Sequence, residues 1–395
     1  MCAQVVVAGH VCLDVIPTFD EKIGDLGTLF QPGKLVDVGS AVTAPGGAVS
    51  NTGLALHRLG IPVKLLGKVG DDLFGQEVLN LFRSYDKSLA ENMIVSKADA
   101  SSYTIVISPP GMDRFFLHCP GANDTFVASD VDANEVTGAR IFHFGYPPIM
   151  RGIHLDGGVE FALLLQQVQA AGVTTSLDMA IPDPNSEAGK LDWAAFLKRV
   201  LPFVDLFLPS IDELLFMLDR PRFNDLTNSG DLPDQIDAAM LTELARQVLD
   251  MGVAIVAIKL GKQGLYVRTT ADPARLAAME AVAPQAISGW QGRELLSPSF
   301  QVHVVGTTGA GDCTIAGFLA GILKGLSLED VIIGATAVGA FNVESPDATS
   351  GIPDWDTVQA RIQAGWKMHN PTLSLNRWLP HQTGIWIGPE DQMTP

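Results

Sequence analysis

The residues with the clearest chemical character lie in Val304-Val305-Gly306-Thr307-Thr308-Gly309-Ala310-Gly311-Asp312-Cys313-Thr314, ahead of the apolar run Ile315 to Leu323. The pattern reads as a strand entering a glycine-rich turn that opens a helix. Small residues let a phosphate approach the backbone closely. The first N–H groups of a helix lack partners within it and sit at the positive end of its dipole, so an anion fits there. Asp312 falls on the first turn. A carboxylate beside an anion weakens simple binding, but it makes chemical sense if it accepts the proton of an attacking hydroxyl. The plainer alternative is a structural turn with Asp312 as a helix N-cap. The segment is not a P-loop, because no Gly-Lys-Ser/Thr follows, and it lacks the Gly-x-Gly-x-x-Gly spacing of dinucleotide folds.

A second segment is Pro45-Gly46-Gly47-Ala48-Val49-Ser50-Asn51-Thr52-Gly53. Two glycines lead into a helix with Asn51 in its first turn. The Asn amide carries two donors and an acceptor, which suits the reading of sugar hydroxyls. A structural turn with a helix cap would use the same residues. The eight histidines show no zinc-site spacing. His10 near Cys12, and His118 beside Cys119, read as packing or lid residues. No Gly-x-Ser-x-Gly elbow supports a serine hydrolase.

These segments need a scaffold, and the chain supplies a regular one. Gln4 to Ala8, Val63 to Val69, Ile141 to Phe144, Thr174 to Asp178, Val204 to Leu208 and Val253 to Leu260 read as strands. Between them Ala48 to Leu59, a helix capped by Asp71-Asp72 and running to Tyr85, Val159 to Ala171, Trp193 to Val200 and Leu241 to Met251 read as helices, several stopped by glycine. Val331 to Val343 suits a buried helix. Apolar strands separated by helices of ten or more residues predict a mostly parallel sheet covered on both faces, a three-layer α/β sandwich. Pro17 to Pro45, and Ser102 to His118 around the turn Pro109 to Asp113, contain no crossover helix. They predict a small antiparallel sheet projecting from the main domain. The expected division is a large domain at 1–16, 46–97 and 126–367, a lid at 17–45 and 98–125, and an ordered surface extension at 368–395.

Composition narrows the function classes. Of 395 residues 47% are hydrophobic, enough for a large core, and the net charge is −18. Such an acidic chain lacks the basic footprint of a nucleic-acid or anionic-membrane binder. No run reaches the ~18 apolar residues of a membrane helix, and no Lys or Arg precedes Lys22 as in a signal peptide. Cys2, Cys12, Cys119 and Cys313 are scattered, which reads as reduced thiols in a cytoplasmic protein.

In order and wide separation, residues 45–60 and 306–323 resemble the two signature regions of the ribokinase-like (PfkB) carbohydrate kinases, and the resemblance covers roughly residues 4–366. It implies a Rossmann-like α/β domain with a β-sheet lid, and transfer of the ATP γ-phosphoryl group to a sugar-type hydroxyl with Mg²⁺ as cofactor. Asp312 matches the catalytic base, and Gly309, Ala310 and Gly311 match the anion hole. Asp14, Gly46, Gly47 and Asn51 match substrate contacts. Lys259, Gly261 and Gly264 resemble the nucleotide-side strand and turn, with Thr308 beside the anion hole, and Asn342 falls where the family lines its adenine pocket. Arg114 and Gly121-Ala122-Asn123 resemble lid-side elements that face substrate. Glu213 matches the Glu of Asn-x-x-Glu that holds Mg²⁺-bound water, but Ser210 replaces the Asn. Gly306 replaces the signature's leading Asp, which leaves a monovalent cation doubtful. Phe19, Phe30, Phe115 and Phe116 would bury the lid's inner face, or pack against substrate or a second copy of the chain in a homodimer. The expected activity is that of a carbohydrate kinase. A nucleoside kinase, and a non-catalytic sugar- or nucleotide-binding regulator, use the same residues.

Overall fold

The computed structural model describes residues 3–19, 27, 31–109 and 115–393. Its centre is a ten-stranded sheet. Six strands run parallel in the order Val63–Leu66, Val5–Gly9, Ile141–Gly145, Thr174–Leu177, Leu206–Phe207 and Ile255–Lys259. Four antiparallel strands extend it: Leu265–Thr269, Glu294–Ser297, Trp386–Ile387 and Leu379–Pro380. Successive side chains of one strand point to opposite faces. Val5 and Val7 therefore join one apolar cluster and Val6 and Ala8 the other, all four fully buried. Helices Ala48–Arg58, Ala310–Leu323 and Leu328–Val343 cover the first face. Val159–Ala170, Trp193–Val200, Ile211–Leu218 and Ala238–Asp250 cover the second. This is the mostly parallel, three-layer α/β arrangement expected above.

The small sheet has the order Ala41–Gly46, Cys12–Pro17, Tyr103–Ile107, Phe115–Cys119. It is mixed rather than antiparallel, because Cys12–Pro17 runs parallel to Tyr103–Ile107. Its strands begin at Cys12 and end at Gly46, so the lid reaches further into the chain on both sides than 17–45. Phe115 and Phe116 remain 41% and 52% exposed, so of the two alternatives above they do not bury the lid's inner face. Phe30 and most of the turn after Pro109 lie outside the described residues.

Three further expectations are corrected. The apolar run Val63 to Val69 is two strands. Val63–Leu66 joins the large sheet, and Lys68–Gly70 pairs with Ile94–Ser96. The break is at Gly67, where a Cβ would meet Val11 Cγ1 at 2.9 Å and Met93 Cε at 3.1 Å. Val304 and Val305 form no strand and are 56% and 53% exposed. Both edges of the nearby strand Glu294–Ser297 are already paired, so no ladder position is open to them. The C-terminal segment is part of the sheet rather than a layer on its surface. Asp391 fixes it by accepting from Arg293 Nε and from the Glu294 backbone N–H, each at 2.9 Å. No helix among the described residues is long and apolar enough to cross a membrane.

Candidate active site

In an open α/β sheet, ligands bind beyond the carboxyl ends of the parallel strands. At or just past those ends stand His10, Tyr146, Asp178 and Lys259, with Ser210 three residues beyond Phe207. His10 and Tyr146 border a cavity of about 1060 Å³ between the large sheet and the lid, which also has Asp14, Asn51, Thr308 and Asp312 in its wall.

Asp312 sits on the first turn of helix Ala310–Leu323 and is 3% exposed. Gly309 precedes it with φ 73°, a left-handed conformation that glycine adopts freely. Asn51 Nδ2 donates to Asp312 Oδ2 at 2.9 Å, and the Tyr146 hydroxyl lies 2.8 Å from both carboxylate oxygens. The Thr52 hydroxyl is 3.5 Å from Oδ1. Burial pushes the Asp312 carboxyl above the usual range, while the Lys259 charge and then Asn51, Tyr146 and Thr52 pull it back.

Lys259, at the end of its strand, bonds Asp178 Oδ1 at 2.5 Å. Asp178 is 1% exposed. Burial acts to lower the Lys259 ammonium, but the charges of Asp178 and Glu213 outweigh it and hold it above the ordinary lysine value. A Cβ on Gly311 would stand 3.6 Å from Lys259 Nζ, so the ammonium lies against the opening turn of the helix. A fixed cation and a helix N-terminus thus face the same spot, an arrangement suited to phosphate.

The Asp14 and His10 side of the cavity depends on two glycines. A Cβ on Gly46 would lie 2.5 Å from Asp14 Oδ2, and one on Gly47 (φ 86°) 2.6 Å from the His10 carbonyl oxygen. Only glycine lets Asp14 and the first strand approach this turn. Burial raises the Asp14 carboxyl to about 6, against the donors Cys12 and Thr104. The lid closes the site through His118, whose Nε2 lies 3.4 Å from His10 Nε2. Asn123 belongs to the scaffold: its amide accepts from Val11 N–H and donates to Val11 C=O.

Four expected site residues make contacts within the scaffold. Glu213 closes a capping box with Ser210: Ser210 N–H donates to Glu213 Oε2 at 2.6 Å, and the Ser210 hydroxyl accepts from Glu213 N–H at 3.2 Å. Part of its carboxylate is therefore committed to the helix start. Asn342 does not line the cavity; its amide donates to the Thr308 and Ala348 carbonyls and ties two loops together. Gly261 and Gly264 shape the turn before Leu265–Thr269, and Gln263 within it bonds Thr372 of the C-terminal segment. At Gly306 a Cβ would meet the Ser345 and Pro346 carbonyl oxygens at 2.9 and 3.0 Å, so the loops leave no space for an Asp. Arg114 lies outside the described residues. Tyr146 and Asp178 were not identified from sequence. Each follows a parallel strand directly, and that position was the available signal.

Among the described residues no three His, Cys, Asp or Glu side chains gather as a metal cage. Burial pushes the Glu213 carboxyl above the usual range, with the Lys259 charge pulling it back.

Comparison with known proteins places this site in context. The chain is similar to fructokinase-2 of Zea mays, 24% identical over 377 residues that cover 91% of this chain and 93% of the relative. It is also similar to the 2-dehydro-3-deoxygluconokinase of Bacillus subtilis (strain 168), 24% identical over 349 residues, 85% and 92% of the two chains. Among solved structures, a fructokinase with bound ATP from Xylella fastidiosa superposes with a TM-score of 0.66 at 17% identity, covering 92% of this chain and 99% of that one. The family model described as pfkB family carbohydrate kinase matches residues 3–355, from the first strand through both glycine-rich turns and the helix bearing Asp312. With that span and this site, the chain belongs to the pfkB family of carbohydrate kinases, phosphotransferases with an alcohol acceptor.

Proposed function

We propose that the chain transfers the γ-phosphoryl group of ATP to a hydroxyl of an uncharged sugar-type acceptor, with Asp312 as general base. The observation that carries this reading is the Asp312 carboxylate, buried in the wall of the cavity at the mouth of a helix N-terminus. Asp14 and Asn51 bind acceptor hydroxyls. Asp312 takes the proton as the acceptor oxygen attacks phosphorus. The Gly309-Ala310-Gly311 backbone and Lys259 stabilise charge on the transferring group. Mg²⁺, when bound with ATP, neutralises further phosphate charge. The lid excludes water that would otherwise take the phosphoryl group.

The charge of the cavity wall supports an uncharged acceptor. Asp14, Asp124, Asp183, Glu187 and Asp312 all border it. The one Lys or Arg among its described residues is Arg151, whose Nε lies 3.3 Å from Glu187. Burial lowers His10 to about 3, and it also lowers His118 and His154, so these rings are neutral at pH 7. A carboxylate or phosphate on the acceptor would meet repulsion with little compensation. ADP release across fructose, ribose, nucleosides, 2-dehydro-3-deoxygluconate and fructose 6-phosphate tests this. Neutral sugars should exceed both anions in kcat/KM by at least about tenfold, ~1.4 kcal/mol of discrimination. Preference for an anion would reject the uncharged acceptor. Binding without ADP from any acceptor would reject the kinase reading and favour a regulator.

Asp14 gives the site a pH dependence. Its carboxyl titrates near 6, so it is charged at pH 7 and neutral at pH 5. The charged form accepts hydroxyl hydrogens more strongly. At saturating Mg-ATP the acceptor KM should therefore rise as pH falls through 6, and Asp14→Asn should raise KM and remove that rise. An acceptor KM in Asp14→Asn that still climbs below pH 6 would assign the titration elsewhere.

A further inference from the structure

Tyr146 has φ 66° and ψ 41°, a left-handed conformation unfavourable for an L side chain. Three non-glycine residues among those described have positive φ, and Tyr146 is the one in the cavity wall. Backbone outliers of this kind persist where the surroundings enforce them and concentrate at functional sites. Here the chain leaves the strand Ile141–Gly145 and turns at once into Pro147-Pro148, which aims the phenol at Asp312. The hydroxyl is 2.8 Å from both carboxylate oxygens, shorter than the Asn51 contact at 2.9 Å or the Thr52 contact at 3.5 Å. The Tyr146 ring also packs beside His10, with centroids 6.1 Å apart.

We propose that Tyr146 is a positioning residue for phosphoryl transfer: its hydroxyl fixes the plane of the Asp312 carboxylate and holds it in the ionised form that can accept a proton. The proposal rests on reading Asp312 as the base. Other ionisable groups act on Asp312 as well. Lys259 pulls it toward the charged form, while Asp178 on the Lys259 side and Cys313 on its own helix interact with it unfavourably. Glu213 faces Tyr146 and Lys259 from the capping box. Burial and the Asp312 charge keep the phenol protonated, so it acts as a donor throughout the working pH range. Removing a donor to a buried carboxylate should make the carboxylate more basic and less often ionised.

The test is Tyr146→Phe, which keeps the ring and removes the hydroxyl. With both substrates saturating, the acid limb of kcat should move to higher pH, so the ratio of variant to wild-type kcat falls steadily as pH drops through that limb, toward about a tenth for a shift of about one unit, while kcat at pH 8.5 stays within about twofold. KM for ATP and acceptor should change little. A second readout needs no turnover. In protein labelled with ¹³C at Asp carboxyls, the signal missing from Asp312→Asn should titrate higher in Tyr146→Phe than in wild type. This separates failure of the Tyr146 role from failure of the kinase reading. An equal loss of kcat at every pH, an unmoved Asp312 carboxyl, or faster turnover than wild type throughout would each overturn the proposal.

Discussion

Asp312→Asn should lower kcat by roughly 10²–10⁴-fold, the usual range for loss of a general base, and leave ATP affinity nearly intact. The amide matches the carboxylate in size. It can keep its place between Asn51 and Tyr146, each of which now donates to it. What it loses is the capacity to accept a proton, and with it a negative charge beside the incoming phosphate. ATP binding by calorimetry should be unchanged or slightly tighter, which separates loss of chemistry from loss of fold. A variant that keeps more than about a tenth of wild-type kcat, with chemistry shown to limit the rate, would contradict the assignment.

Lys259→Met has two effects of different origin. Asp178, 1% exposed, loses its ion-pair partner. An uncompensated buried charge costs about 3–5 kcal/mol, so the urea midpoint should fall markedly. The helix mouth also loses its cation, and removing one electrostatic stabiliser of a transition state typically costs ~10²–10³-fold in kcat. The double variant Lys259→Met/Asp178→Asn distinguishes the two. It should recover most of the stability, because no charge is left buried, but none of the rate. If the rate returns with the stability, Lys259 serves the fold and not the phosphate.

Most of the central sheet was legible because its strands are apolar at every position and buried on both faces, as Val5 to Ala8 are. Helix starts were legible where a short polar side chain stands ready, as Asp72 does in accepting from Gly75 N–H at 2.8 Å. The split at Gly67 was hidden because the apolar run continues across it and the break depends on Val11 and Met93, distant in sequence. Trp386–Ile387 was hidden because a two-residue strand has no period, and its pairing depends on the edge left by Glu294–Ser297. Within the site, the Gly309 to Asp312 turn and the Gly46-Gly47 approach announced themselves through glycine spacing. Tyr146 and Asp178 belong to no spacing pattern. Tyr146 meets Asp312 across 166 residues of chain, and only the sheet order brings them together. The amide of Asn342 also joins the Thr308 and Ala348 carbonyls, a tie between two loops that no sequence spacing announces.

The central claim is transfer of phosphorus from ATP to an alcohol. The most direct measurement follows label from γ-³²P ATP in the presence of Mg²⁺ and the best acceptor of the ADP panel. The account predicts that label appears in a phosphorylated sugar in one-to-one ratio with ADP, and that Asp312→Asn suppresses this product. Label released only as inorganic phosphate, or retained in ATP while both ligands demonstrably bind, would contradict it.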